Sequence, residues 1–373
     1  MRSAIIRSRS VALVAALLVT LGVLAPALLF PGTALADSWS QEASGGFDGD
    51  YGPAWESVSC MASYDGSLFA VTSGEYLNGC QVWRYNGGGW EQVNNNGFGY
   101  PGNVEATAMI SYGGYLYVGT RIEGPPTGCQ VWRYDGDDWS AVNLFGFGNL
   151  SNTAVSSMAV YDSDLYVGTT CDDGGEVRRL HNGSWSLDGD PGFGNDQNKR
   201  VSSICVYNGT LYAGTENQTS GCHIYKREAG DWNSVRTDGF GDARNIGASS
   251  MATFAGELYV GTLNGPDQVS NGCQVWSYNG TGWTQRATGG FGDSNSMTAA
   301  SMAVYDAGSG DRLFVGISTR WDNNQCTVRK YDGSDWGQVG GWGLGNFLNQ
   351  GAVSMAVHYG SLFVGTRNDR QGL

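Results

Sequence analysis

Residues Thr107–Thr120 read TAMISYGGYLYVGT, and Cys129–Val142 read CQVWRYDGDDWSAV. Each stretch is two short runs of Val, Ile, Leu, Tyr, Trp and Thr around a turn, which is the composition of paired strands. Gly113-Gly114 and Asp135-Gly136 supply the positive φ that tight hairpins need. With the variable RIEGPPTG between them, the two hairpins predict one antiparallel meander of four strands, a to d.

The same unit recurs along the chain, as in SSMAVYDSDLYVGT from Ser156, SSMATFAGELYVGT from Ser249 and CQVWSYNGTGWTQR from Cys273. A Trp returns every 46 to 53 residues at Trp39, Trp90, Trp139, Trp185, Trp232, Trp283 and Trp336. Met61, Met109, Met158, Ile204, Met251, Met302 and Met355 keep step with it. A tandem repeat of this length signals stacked supersecondary units. No sustained helical period appears, and 59 Gly disfavour long helices. Apolar residues on both faces of strands a and b (Met158, Val160, Leu165, Val167) fit a sheet lying between two neighbours. The expected fold is therefore all-β, a seven-bladed β-propeller of four-stranded antiparallel blades, whose stacking removes most open edges. An open solenoid is the competing architecture; its coils are usually shorter and it needs capping units.

The last blade reads as incomplete. There are seven a–b pairs, the last beginning at Ser354, and seven d strands, the first being Ser38–Gln41. Only six c strands are evident, beginning near Cys80, Cys129, Gly175, Cys222, Cys273 and Cys326. Both termini are expected to share the closing blade, with a gap where strand c would stand. Such a gap leaves ladder groups unpaired, so a sequence truncated beyond Leu373 is the preferred reading.

The LYVGT…QVWRYDGxxW pattern resembles the kelch type of propeller repeat, with Tyr85/Trp90, Tyr134/Trp139, Tyr278/Trp283 and Tyr331/Trp336 five apart. It departs from kelch in having Gly-Thr (Gly119-Thr120, Gly168-Thr169, Gly214-Thr215) where that family has Gly-Gly. It also adds a Gly-Phe-Gly after strand d, at Phe98, Phe147, Phe193, Phe240 and Phe291, with Phe47 and Leu344 as variants. The Phe is expected to be an apolar plug between blades. The resemblance implies the fold and little about function.

Residues 1–36 have the form of a secretory signal. Arg2, Arg7 and Arg9 form the basic region, Val11–Phe30 the apolar run, and Ala34-Leu35-Ala36 the cleavage site. Residues 37–373 are then the propeller, secreted or at the cell surface; an uncleaved anchor is the one route to a membrane. Removing those three arginines takes the net charge from −14 to −17, which repels phosphate backbones and argues against nucleic acid. Five of the eight Cys (Cys80, Cys129, Cys222, Cys273, Cys326) hold one repeat position. Equivalent third strands of adjacent blades lie roughly 15 Å apart, from the ~4.8 Å strand spacing. That is beyond the ~7 Å limit for a bridge. They are expected to be buried fillers; Cys60 and Cys205 are not expected to pair, and Cys171 has the freest choice of partner.

The d–a and b–c loops share one face, and the varied b–c loops are where specificity is expected. The candidate ligand-binding residues are Arg121, Asp172, Asp173, Glu216, Asn217, Asn264, Arg320, Trp321 and Arg367. Guanidiniums facing carboxylates, with one indole to stack on, suit an oriented polar ligand. Asn149, Asn195, Asp242, Asp293 and Asn346, with Asn152, Asn198, Asn245 and Asn349 three residues on, offer oxygens for Ca²⁺. One such group per loop is too few for a strong site, so they are read as turn caps and no cofactor or metal is expected. With three His and neither a nucleophile elbow nor a zinc or phosphate motif, no catalytic residue is assigned. The expected function is an exported, non-catalytic binding module for a glycan, cell-envelope polymer or protein. The alternatives are a glycosidase or lyase using Glu123, Asp172, Asp173, Glu216 and Asp322, and a structural segment of a larger surface protein.

Overall fold

The computed structural model describes residues 5–9, 38–43, 47, 57–74, 78–125, 127–265, 271–306, 308, 310–320 and 325–368. The apolar run and cleavage site of the signal lie outside the described residues, as do Trp321 and Asp322. Among the described residues the chain is all-β and antiparallel, its only helices being 3₁₀ turns of three or four residues.

The strands group into six four-stranded meanders and a seventh four-stranded sheet assembled from both ends of the chain. The second is representative: Asn103–Tyr112, Tyr115–Ile122, Val131–Tyr134 and Trp139–Ala141 as strands a to d. Its a–b turn has both central residues, Gly113 and Gly114, at positive φ (59° and 82°), the geometry that matches strand twist. Each strand a packs on strand a of the next sheet, and that of the seventh, Gly351–His358, packs on Val58–Tyr64 of the first. Single bridges join neighbouring sheets at the ends of the b strands: Arg121 to Ala154, Thr170 to Arg200, Glu216 to Gly247 and Leu263 to Thr298. Arg367 to Ser57 joins the last sheet to the first.

The repeated residues are largely inter-sheet contacts. A Cβ on Gly119 would stand 2.3 Å from Val155 Cγ1 of the following sheet, so strand b needs Gly there. Tyr64, Tyr112, Tyr207 and Tyr305 each donate a phenolic hydrogen bond to the hairpin turn of the next sheet, accepted by the carbonyls of Gly114, Ser163, Gly256 and Gly360. Trp139, Trp185 and Trp336 donate their indole N–H back to the preceding sheet, to the carbonyls of Val93, Val142 and Arg286. The turn phenylalanines do plug the clefts: Phe98 stacks on Trp132 of the next sheet at 4.8 Å and meets Trp139 edge-on at 5.0 Å.

All eight Cys are free, and the five at the start of strand c are wholly buried. Burial pushes the thiols of Cys80, Cys222, Cys273 and Cys326 up to about 12. Cys171 takes no disulfide partner; its sulfur lies 3.8 Å from Asn149 Nδ2.

The seventh sheet corrects one expectation. Ser38–Ala43 does serve as its outer strand, but the place expected to be vacant holds Ile5–Arg9, paired to both Ser361–Arg367 and Ser38–Ala43. Ile6 is 3 % exposed, in a cluster with Tyr305, Phe314, Val328 and Val364. The Arg7 guanidinium lies over the Phe363 ring and its Nε donates to Ser361 Oγ at 3.0 Å. Register explains the fit. Arg7 opposes Phe363 as Arg133 opposes Tyr117 and Lys330 opposes Phe314, so the third strand's basic position is kept.

Candidate functional site at the mouth of the central channel

Every strand a skips a residue in its register with strand b two positions before the Met or Ile204, and four of the strands skip a further one nearer their start. The residues skipped before the Met or Ile204 are Ser59, Thr107, Ser156, Ser202, Ser249, Ala300 and Val353. A bulge re-aims its side chain, and all seven line one cavity of about 580 Å³ where the inner strands begin. The hydroxyls are also stitches. Ser59 donates to Ala106 O at 2.6 Å, Ser156 to Val201 O at 2.7 Å, Ser202 to Ala248 O at 2.8 Å and Ser249 to Ala299 O at 2.9 Å. Thr107 donates likewise to Val155 O. Below this ring, toward the a–b turns, the methionines and Ile204 line a second section of the channel.

Above the ring stand Arg121, Arg200 and Arg367, with Glu105 and Ser73. Arg121 Nε donates to Glu105 at 2.9 Å and Nη1 to Glu123 at 2.5 Å. Burial pulls the Arg121 pKa down, but the bond to Glu123 and the charge of Glu105 outweigh it and hold it above the ordinary value. Arg200 Nε is buried without a hydrogen-bond partner among the described residues.

Of the nine sequence-predicted residues, the cavity gathers two, Arg121 and Arg367. Asn217 and Asn264 are fully buried and structural. Asn217 donates to Asn198 Oδ1 at 3.0 Å and accepts from the backbone N–H groups of Thr219 and Ser220. Asn264 donates to Asn245 Oδ1 at 3.2 Å. Asp172 and Asp173 are exposed in the third b–c loop and do not line the mouth; the Asp172 carbonyl accepts from Lys199 Nζ. Glu216 and Arg320 also stand outside the cavity, Arg320 giving its backbone N–H to Asn295 O. Trp321 lies outside the described residues. Sequence reasoning missed Arg200, which opens its strand a opposite Glu216, and Glu105, which holds the matching register position opposite Arg121, and missed the hydroxyl ring. The visible signal was the small residue pair before most of the Met positions or Ile204, as in Ser202-Ser203 and Ser249-Ser250.

The side chains considered for Ca²⁺ are built into the turns. Asn149, Asn195, Asp242, Asp293 and Asn346 each accept the backbone N–H two residues on, at 3.0 to 3.1 Å. Asn152, Asn198, Asn245 and Asn349 are fully buried and donate to the first Gly carbonyl of their turn at 2.9 Å. His223 is likewise internal, between Ser220 Oγ at 2.9 Å and Tyr225 OH at 3.2 Å.

No protein-family model and no curated protein matches the chain. Among solved structures it is similar to the SapL1 lectin in complex with alpha methyl fucoside (14 % identity, 75 % of this chain and 93 % of that one, TM-score 0.46). It is also similar to a mutant of AofleA from Arthrobotrys oligospora (12 %, 76 % and 85 %, TM-score 0.47). A third is a putative 6-phosphogluconolactonase from Bacteroides uniformis (11 %, 75 % and 83 %, TM-score 0.52). At these identities the likeness concerns the all-β fold alone, and the first two superpositions are too loose to carry an argument. The kelch resemblance rests on the repeat residues only.

Proposed function

We propose that the chain is an exported seven-bladed β-propeller that acts as a non-catalytic binding module, taking a glycan end at the mouth of its central channel. The ring order of the inner strands and the contact of the seventh sheet with the first support the propeller reading. The form of residues 1–36 supports export to the cell exterior or surface, where a free saccharide, a cell-envelope polymer or a glycosylated partner would be met.

The observation that carries the binding reading is the mouth itself. Three arginines and a ring of hydroxyls surround a cavity of ligand size. Its one carboxylate among the described residues, Glu105, is already bonded to Arg121. Two-carboxylate hydrolysis needs a second acid a few ångströms away, so the arrangement supports holding a polar ligand over cleaving it. The test is a glycan and peptide array probed with the full chain and with Ser156→Trp, which fills the mouth. Ser157 also donates to Val201 O at 2.7 Å, so that carbonyl keeps a partner in the variant. Glycan binding lost in the variant supports the reading; equal binding by both proteins moves the site elsewhere.

A further inference from the structure

We infer that the ligand of this mouth is a sugar acid, a polyhydroxylated carboxylate, with its carboxylate at Arg200. The inference rests on the mouth being the binding site and follows from which hydrogen-bonding roles remain open there. The hydroxyl protons of Ser156, Ser202 and Ser249 are spent on carbonyls of the following sheets, so toward the channel these oxygens act as acceptors. Guanidiniums only donate. A ligand must therefore bring donors for the ring and an acceptor for the rim. Hydroxyls on a sugar supply the first.

The rim selects an anion. Arg121 is occupied by Glu105 and Glu123. Arg200 lines the same cavity, and its buried Nε has no partner among the described residues. Nothing in the described chain neutralises this guanidinium through that nitrogen, and a carboxylate in the cavity that Arg200 lines supplies the missing charge-assisted acceptor. The remaining arc of the ring, Ala300 and Val353, is apolar and suits the C–H face of a pyranose.

Calorimetry on the full chain with glucuronate, glucose and acetate tests this, beside Arg200→Gln and Arg200→Lys variants whose melting shows them folded. Glucuronate should bind at least about tenfold tighter than glucose or acetate, the scale of one charge-assisted hydrogen bond. Arg200→Gln should erase the preference for glucuronate over glucose, and Arg200→Lys should restore part of it. Equal affinity for glucuronate and glucose, or a preference that survives in Arg200→Gln, overturns the sugar-acid assignment. If glucuronate fails while an array glycan is still lost in Ser156→Trp, the sugar acid falls and the binding mouth stands. An array glycan untouched by Ser156→Trp removes the mouth itself.

Discussion

Phe240 holds φ at 62°, a left-handed conformation that costs an ordinary side chain about 1–2 kcal/mol. It is 5 % exposed between Trp276, stacked at 5.0 Å, and Trp283, edge-on at 4.9 Å. Aromatic packing therefore has to outweigh a backbone penalty. Phe240→Ala keeps the penalty and loses the packing, so it should cost about 3 kcal/mol or more. Phe240→Gly removes the penalty as well and should be no worse than Ala, although its side chain is smaller. Urea midpoints decide; a glycine variant clearly weaker than the alanine one would show that the turn is unstrained. His223 gives a pH prediction. Burial lowers its pKa from the ordinary 6.5. The unfolded chain then binds a proton that the folded one refuses, so stability should fall as pH drops through about 6.5 and level off below the depressed folded value. His223→Gln, which can still meet Ser220, should flatten that slope in melting curves taken across the range.

At the scale of the strand, the bulge does most of the positioning. Ser202 and Ser203 both donate to Ala248 O, at 2.8 and 2.6 Å. Removing either hydroxyl leaves the carbonyl one partner, whereas removing both leaves it buried and unmet. The double Ser202→Ala, Ser203→Ala variant should therefore lose about 1 kcal/mol more than the two single losses added together. Additive losses in a double-mutant cycle would mean that the two bonds are independent. This geometry also shows what could be read in advance. The meander, its hairpins, the plugging Phe and the unpaired Cys were legible because they depend on local chemistry and on a period. The mouth was not. A bulge is a mismatch of register with the partner strand, so Ser156 in sequence looks like any strand residue. The Gly-Thr rim drew attention to the b–c loops, yet Asn217 and Asn264 at that rim turn inward to hold Asn198 and Asn245. Arg200 opens strand a, where no comparison of b–c loops would look.

At the scale of the whole molecule, the seventh sheet joins the two ends of the chain, and its third strand comes from the stretch that also reads as the basic region of a leader. Ile6 fills a place in the core cluster, and Arg7 over Phe363 repeats the contact of Arg179 with Tyr166 in the third sheet. If export removes residues 1–36, Ser361–Arg367 loses its ladder partner on one side and Ser38–Ala43 loses its neighbour in the sheet. Burying one Ile side chain is worth about 2 kcal/mol, and the ladder and the outer strand add to it. The chain 37–373 should accordingly melt below the full chain, by roughly 2 °C or less for each kcal/mol lost in a chain of this size. Amide exchange should accelerate over 361–367 and 38–43 and remain unchanged over the inner strands of the third to fifth sheets. A synthetic peptide of residues 4–10 added to 37–373 should restore protection at Leu362–Gly365. Unchanged melting and exchange after deletion would mean that Ile5–Arg9 contributes nothing to the sheet and that the two ends close the ring through Ser38–Ala43 alone.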